Sequence, residues 1–206
     1  MKRLCALLVV VALPVVLAAQ APGWKVRADR STSASDPDAP GDIKFMAMGT
    51  SFHAVNPQAA VYWNPANTAT GAYVVKGSFK LLKPSNHNNY YGLVFGGKTL
   101  DGAAQSYLYF LVAQDGSWLV KKRDGETTSN VAAKTMNEAV KKPDASGQSV
   151  NALEVRVGAD KVDFVVNGVV VTSMPKSAVG ATDGLAGIRV NHFLEVQIDG
   201  FGVTKG

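Results

Sequence analysis

The sequence predicts an all-β fold of two stacked antiparallel sheets, and three observations carry that prediction. In residues 150–171, apolar Leu153, Val155 and Val157 alternate with polar Glu154 and Arg156, the period of a half-buried strand. The apolar run 162–166 then meets Asn167-Gly168, a pair that tolerates positive φ at both central positions of a type I′ turn, and a further apolar run follows. Third, turn-forming pairs such as Asp101-Gly102, Asp115-Gly116, Asp124-Gly125 and Asp183-Gly184 recur at short intervals with no strand-helix alternation.

From the N-terminus, Lys2 and Arg3 precede an apolar run over residues 4–17, followed by Ala18-Ala19-Gln20-Ala21. A basic start, an apolar centre and small residues at a cut site read as a secretory signal peptide over residues 1–20. The run is shorter than the roughly 20 residues of a bilayer span, and Pro14 interrupts it. No stable membrane span is expected after cleavage. The one cysteine, Cys5, would leave with the leader, so the mature chain has no disulfide and no thiolate. Secretion to the periplasm or the exterior is the expected localisation.

Residues 21–42 are expected to form a flexible arm or linker, with Trp24-Lys25-Val26-Arg27 a short strand or an extended segment. The stretch is rich in Ser, Asp, Pro and Ala without an apolar period. Asp36, Asp38 and Asp42 with Gly41 faintly suggest a calcium loop. Ala47 stands where an EF-hand needs its bidentate glutamate, so no metal is assigned.

The β-sandwich domain is expected over residues 43–206, with strands at 43–48, 59–64, 73–82, 89–96, 106–113, 117–122, 151–157, 161–167, 169–173, 185–191 and 193–203. Residues 131–142 carry helix formers without an apolar stripe and read as a loop with at most one helical turn. Strands this long make broad sheets that curve, and a concave, partly exposed face is the place to look for function.

Several segments resemble the concanavalin A-like lectin and glucanase superfamily. They are Asn151-Ala152-Leu153-Glu154-Val155-Arg156-Val157, the Asn167-Gly168 hairpin, Asp183-Gly184-Leu185-Ala186-Gly187-Ile188, and the closing Leu194-Glu195-Val196-Gln197-Ile198-Asp199-Gly200-Phe201. Residues 91–97 followed by 107–110 look like that superfamily's central hairpin. The likeness spans roughly residues 59–204. It implies a jelly-roll sandwich whose last strand returns beside the N-terminal one, and it is more distantly like the secreted 3-keto-disaccharide hydrolase-type domain. The superfamily includes lectins, carbohydrate-binding modules and glycoside hydrolases, so the fold alone does not fix an activity.

Glycoside hydrolysis needs two carboxyl groups about 5–10 Å apart. The E-x-D-x-x-E strand of many hydrolases in the superfamily is missing. Glu195 and Asp199 share a strand face but stand about 13 Å apart at the usual rise per residue. Glu154, Glu195 and Asp199 are therefore weak catalytic candidates. The three histidines, His53, His87 and His192, show no metal-ligand spacing in sequence; His87 reads as solvated and His192 as a surface or cap residue at a turn. No cofactor is expected.

Aromatic and amide side chains are the better candidates. Trp63, Tyr91, Tyr107, Tyr109 and Trp118 offer flat apolar faces on which sugar rings stack, while Asn64, Arg156, Arg189 and Asn191 can take hydroxyls. Tyr107 and Tyr109 share one side of their strand. Without the leader the charge is mild, 19 basic against 16 acidic residues. The runs Lys121-Lys122-Arg123 and Lys141-Lys142 lack interleaved aromatics, so no nucleic-acid partner is expected.

Three functions fit these residues. The first is a secreted, non-catalytic carbohydrate-binding or adhesion domain whose partner is a polysaccharide or glycan. The alternative is a glycan or 3-keto-disaccharide hydrolase of the same fold. The third is an envelope structural domain without a small ligand.

Overall fold

The computed structural model describes residues 20–31 and 33–206. The expected signal peptide, with Cys5, lies outside the described residues apart from Gln20.

Fourteen strands form in chain order: β1 (Lys25–Ala28), β2 (Lys44–Met48), β3 (Ser51–Asn56), β4 (Ala60–Ala69), β5 (Tyr73–Lys83), β6 (Tyr90–Lys98), β7 (Ser106–Ala113), β8 (Ser117–Asp124), β9 (Thr127–Met136), β10 (Ser149–Val157), β11 (Lys161–Val166), β12 (Val169–Pro175), β13 (Gly184–Val190) and β14 (Leu194–Lys205). A four-residue helix, α1 (Lys176–Val179), follows β12 and packs on β11 and β12. The strands make two seven-stranded sheets. The first runs β1-β4-β13-β6-β7-β8-β9 and the second β12-β11-β10-β5-β14-β3-β2.

Asn167 and Gly168 adopt φ of 50° and 83°, so the expected type I′ turn joins β11 to β12. The Asn167 side chain does more than turn the chain. Its amide donates to the Ala139 carbonyl at 2.7 Å and to Asn151 Oδ1 at 2.9 Å. Those bonds pin the loop that carries the chain from one sheet to the other. β14 pairs with both β3 and β5, which is the return of the last strand toward the first ones that the resemblance implies.

Alternation decides which side chains meet between the sheets. Tyr62, Leu93, Phe95, Leu108, Phe110, Val120 and Ile188 of the first sheet face Phe79, Leu81, Leu153, Val155, Phe164, Val196 and Ile198 of the second, all at most 2% exposed. Their neighbours in sequence on the first sheet, namely Val61, Trp63, Val94, Tyr107, Tyr109, Leu111 and Leu119, form a second apolar cluster on its outward side.

Several expectations need correction. Of residues 131–142, expected to be a loop, 137–142 are one but 131–136 belong to strand β9, which pairs along β8 at the edge of the first sheet, where backbone pairing overrides their helix-forming composition. Residues 51–56 are a strand that the apolar pattern did not show. Of the two readings of residues 24–27, the short strand holds: residues 25–28 are β1, paired with β4.

Candidate functional site

The site is built from the middle of the first sheet. β4 and β13 lie side by side, with Trp63 opposite Gly187 and Val61 opposite Arg189. Across β13 come β6 and β7, and β7 carries Tyr107 and Tyr109 on the same side as Trp63. A side chain at Gly187 would drive its Cβ to 2.2 Å from the Tyr62 carbonyl oxygen, so glycine is required for β13 to approach β4 this closely.

Arg189 sits at the centre. It pairs with Asp29 at 2.5 Å, donates to the Tyr107 hydroxyl at 2.9 Å and to Asn191 Oδ1 at 3.2 Å, and stands 5.2 Å from the centroid of the Tyr109 ring. Arg123 of β8 reaches the other Asp29 oxygen at 3.0 Å. One carboxylate thus balances two guanidinium groups. Burial disfavours the Arg189 charge, but the Tyr107 and Asp29 oxygens outweigh it and hold its pKa above the ordinary value. Burial likewise pushes the Tyr107 and Tyr109 hydroxyls up, with Arg189 pulling against it. Both remain hydrogen-bonding phenols over the physiological range.

The structure brings Trp63, Tyr107, Tyr109, Arg189 and Asn191 together. It separates the other candidates. Tyr91 is wholly buried between the sheets, where its hydroxyl accepts from the Asn151 amide at 3.2 Å. Trp118 is there too, its ring 6.3 Å from Phe110. β6, β7 and the first half of β8 are apolar on both faces, so alternation could not tell their inward side from their outward one. Asn64 follows Trp63 and so falls on the opposite side of β4, where its Oδ1 accepts the Ala66 N–H.

Arg156 and Glu154 lie on the outward face of the other sheet, because Leu153, Val155 and Val157 between them take the core side. They pair with each other at 2.9 Å. Glu195 and Asp199 also lie on the second sheet, each engaged by its own neighbours: Glu195 by His53 at 2.8 Å, Asp199 by Ser51 and by Gln197 at 3.0 Å. Glu195 lines a cleft of about 640 Å³ with Lys44, Asn56, Lys83, Asn86 and Phe193.

Two features were missed. Asp29 is the counter-ion of the site, and a lone aspartate in a polar stretch gives no sequence signal of that. The second is a cluster of Asp36, His87 and His192, whose side chains converge although the histidines are 105 residues apart. The expectation that His87 is solvated and His192 a surface or cap residue fails for the surface reading of His192, whose side chain is 6% exposed.

No protein-family model matches the chain, and no curated protein matches it. Solved structures do. The carbohydrate-binding module CBM66 from Bacillus subtilis is similar over 89% of this chain and 96% of its own, at 10% identity and a TM-score of 0.53. A protein of unknown function with a galectin-like fold, also from Bacillus subtilis, is similar over 88% and 89%, at 15% identity and a TM-score of 0.56. The metal-free carbohydrate recognition domain of Emp46p is similar over 89% and 88%, at 11% identity and a TM-score of 0.58. The fold is a two-sheet antiparallel β-sandwich like that of these structures. At such identities the likeness extends to the fold and no further. Among the described residues, no helix is long and apolar enough to cross a membrane.

Proposed function

We propose that this protein is an exported, non-catalytic glycan-binding domain that holds sugar against the outward face of the first sheet. One observation carries the reading: Trp63, Tyr107 and Tyr109 cluster there with Arg189, outside the core that the two sheets share. Rings with an oriented guanidinium and an amide suit a sugar, whose faces are apolar and whose rim is hydroxyl. Two of the similar folds carry carbohydrate binding in their names, which supports the reading.

The reading sets a requirement. In the full chain Trp63 is 3% and Tyr107 1% exposed. Binding requires these rings to become reachable to the sugar. Affinity electrophoresis of the form beginning at Ala21 on a panel of polysaccharides tests it. Retardation by at least one polysaccharide, weakened about tenfold or more in Trp63→Ala, is the expected result. That loss corresponds to roughly 1–3 kcal/mol for one aromatic platform. Unretarded migration on every polysaccharide contradicts the reading.

A hydrolytic reading has one observation in its favour, the position of Glu195 in the 640 Å³ cleft beside His53. It predicts release of reducing sugar that Glu195→Gln abolishes. The glycan-binding reading predicts no release from any substrate, with or without that substitution.

A further inference from the structure

We propose that Asp36, His87 and His192 form a binding site for a zinc-like divalent transition metal, independent of the glycan face. Three chain segments meet there: the loop before β2, the turn between β5 and β6, and the turn between β13 and β14. His87 Nε2 and His192 Nε2 stand 3.1 Å apart, and Asp36 Oδ1 lies 3.0 Å from the first and 3.3 Å from the second.

Hydrogen bonds on the far side of each ring decide what these atoms offer. His192 Nδ1 is 2.9 Å from Asp38 Oδ1, an acceptor, so Nδ1 carries a proton, and in the neutral ring Nε2 then carries the lone pair. His87 Nδ1 is 2.8 Å from Asn86 Oδ1, again an acceptor, and the same assignment follows. Two lone pairs and a carboxylate oxygen then point at one spot. Three acceptors at this spacing repel one another unless a proton or a metal cation lies among them. The Asn89 amide, 2.9 Å from His87 Nε2, relieves one of the three; it also has Ser85 Oγ at 3.2 Å and the His192 carbonyl at 3.0 Å, so it can release the imidazole to a metal.

The distances fit a particular geometry. Metal–ligand bonds of about 2.0–2.1 Å in a tetrahedron put neighbouring donors about 3.3–3.4 Å apart. The three atoms already form such a triangle, slightly contracted, and the fourth vertex is left for water or a ligand oxygen. Two imidazoles and one carboxylate suit zinc or a similar transition metal; calcium takes six to eight oxygens. The bond from Asp38 to His192 is the outer contact that fixes a ligating histidine's tautomer and ring orientation. Phe193 completes the setting. It adopts φ of 58°, costly for a bulky residue, and lays its ring 4.8 Å from His192 and 5.7 Å from His87. Ser85, Asn86 and Phe193, which flank the two histidines in sequence, also line the 640 Å³ cleft, so the open vertex lies close to a space that a small molecule can enter.

Calorimetric titration of zinc into untagged, metal-stripped protein beginning at Ala21 tests the proposal. The expected result is one equivalent bound, with affinity falling about tenfold or more in His87→Gln and in Asp36→Asn, as metal sites lose on such changes. Both positions are partly exposed, at 38% and 49% of the side chain, so either variant should unfold in EDTA at the same temperature as the parent. Saturating zinc should raise the parent's unfolding midpoint by on the order of 5 °C. In the unsubstituted protein, the ¹⁵N resonances of Nε2 in His87 and His192 should both move on zinc addition, a readout that needs no variant. Absence of zinc binding, unchanged affinity in both variants, still imidazole resonances, or calcium binding as tightly as zinc would each overturn it.

Discussion

Replacing Asp29 with alanine in the full chain is expected to cost about 3–5 kcal/mol of folding stability, the usual penalty for breaking a buried ion pair from one side. Asp29 is the shared counter-ion of Arg189 and Arg123, and the three side chains are 8%, 11% and 14% exposed. Without it Arg189 keeps only neutral partners, Tyr107 and Asn191, and Arg123 keeps the Gly125 carbonyl at 2.6 Å. Urea unfolding of parent and variant reads the difference. Asp29→Asn should recover little, because the amide replaces the shape and not the charge. A loss below about 1 kcal/mol in the full chain would mean that water already solvates the two guanidinium groups.

Phe164→Ala is expected to cost a similar amount, about 3–5 kcal/mol, for a different reason. Phe164 is wholly buried on β11, with its ring 5.2 Å from Phe110 and 6.1 Å from Phe95 of the opposite sheet. Truncation opens a cavity between two layers that cannot collapse independently, since each is held by its own backbone ladder. Phe164→Leu keeps most of the volume and should cost about 1–2 kcal/mol. Because the residue lies on the inner side, any variant that folds should bind glycan as the parent does. A loss under 1 kcal/mol for the alanine variant would mean that the two sheets do not pack face to face at this point.

What the sequence made legible follows from which signals are local. The Asn167-Gly168 turn, the alternation in β10 and the long apolar β7 each reveal themselves within ten residues. β9 does not, because its TTSNVAAKTM run is an edge strand, almost wholly exposed, and needs no apolar face. Of the site, Trp63, Tyr107, Tyr109, Arg189 and Asn191 were legible as a chemistry and as strand positions. Tyr91 and Trp118 were misplaced because strands buried on both sides lose the cue that separates in from out. The meeting of His87 with His192 is a consequence of register. Val190 pairs with Tyr91, so antiparallel continuation brings His192 opposite Asn89, two residues from His87. Nothing in either local stretch announces which strands will be neighbours.

Sugar on the outward face of the first sheet can be followed through the side-chain resonances of Trp63, Tyr107, Tyr109 and Arg189 by NMR as a retained polysaccharide fragment is added to the form beginning at Ala21. Saturable shifts at these four residues are expected, with Trp118 and Arg156 unmoved. Shifts confined to the second sheet, around Arg156 or Glu195, would contradict sugar binding on that face.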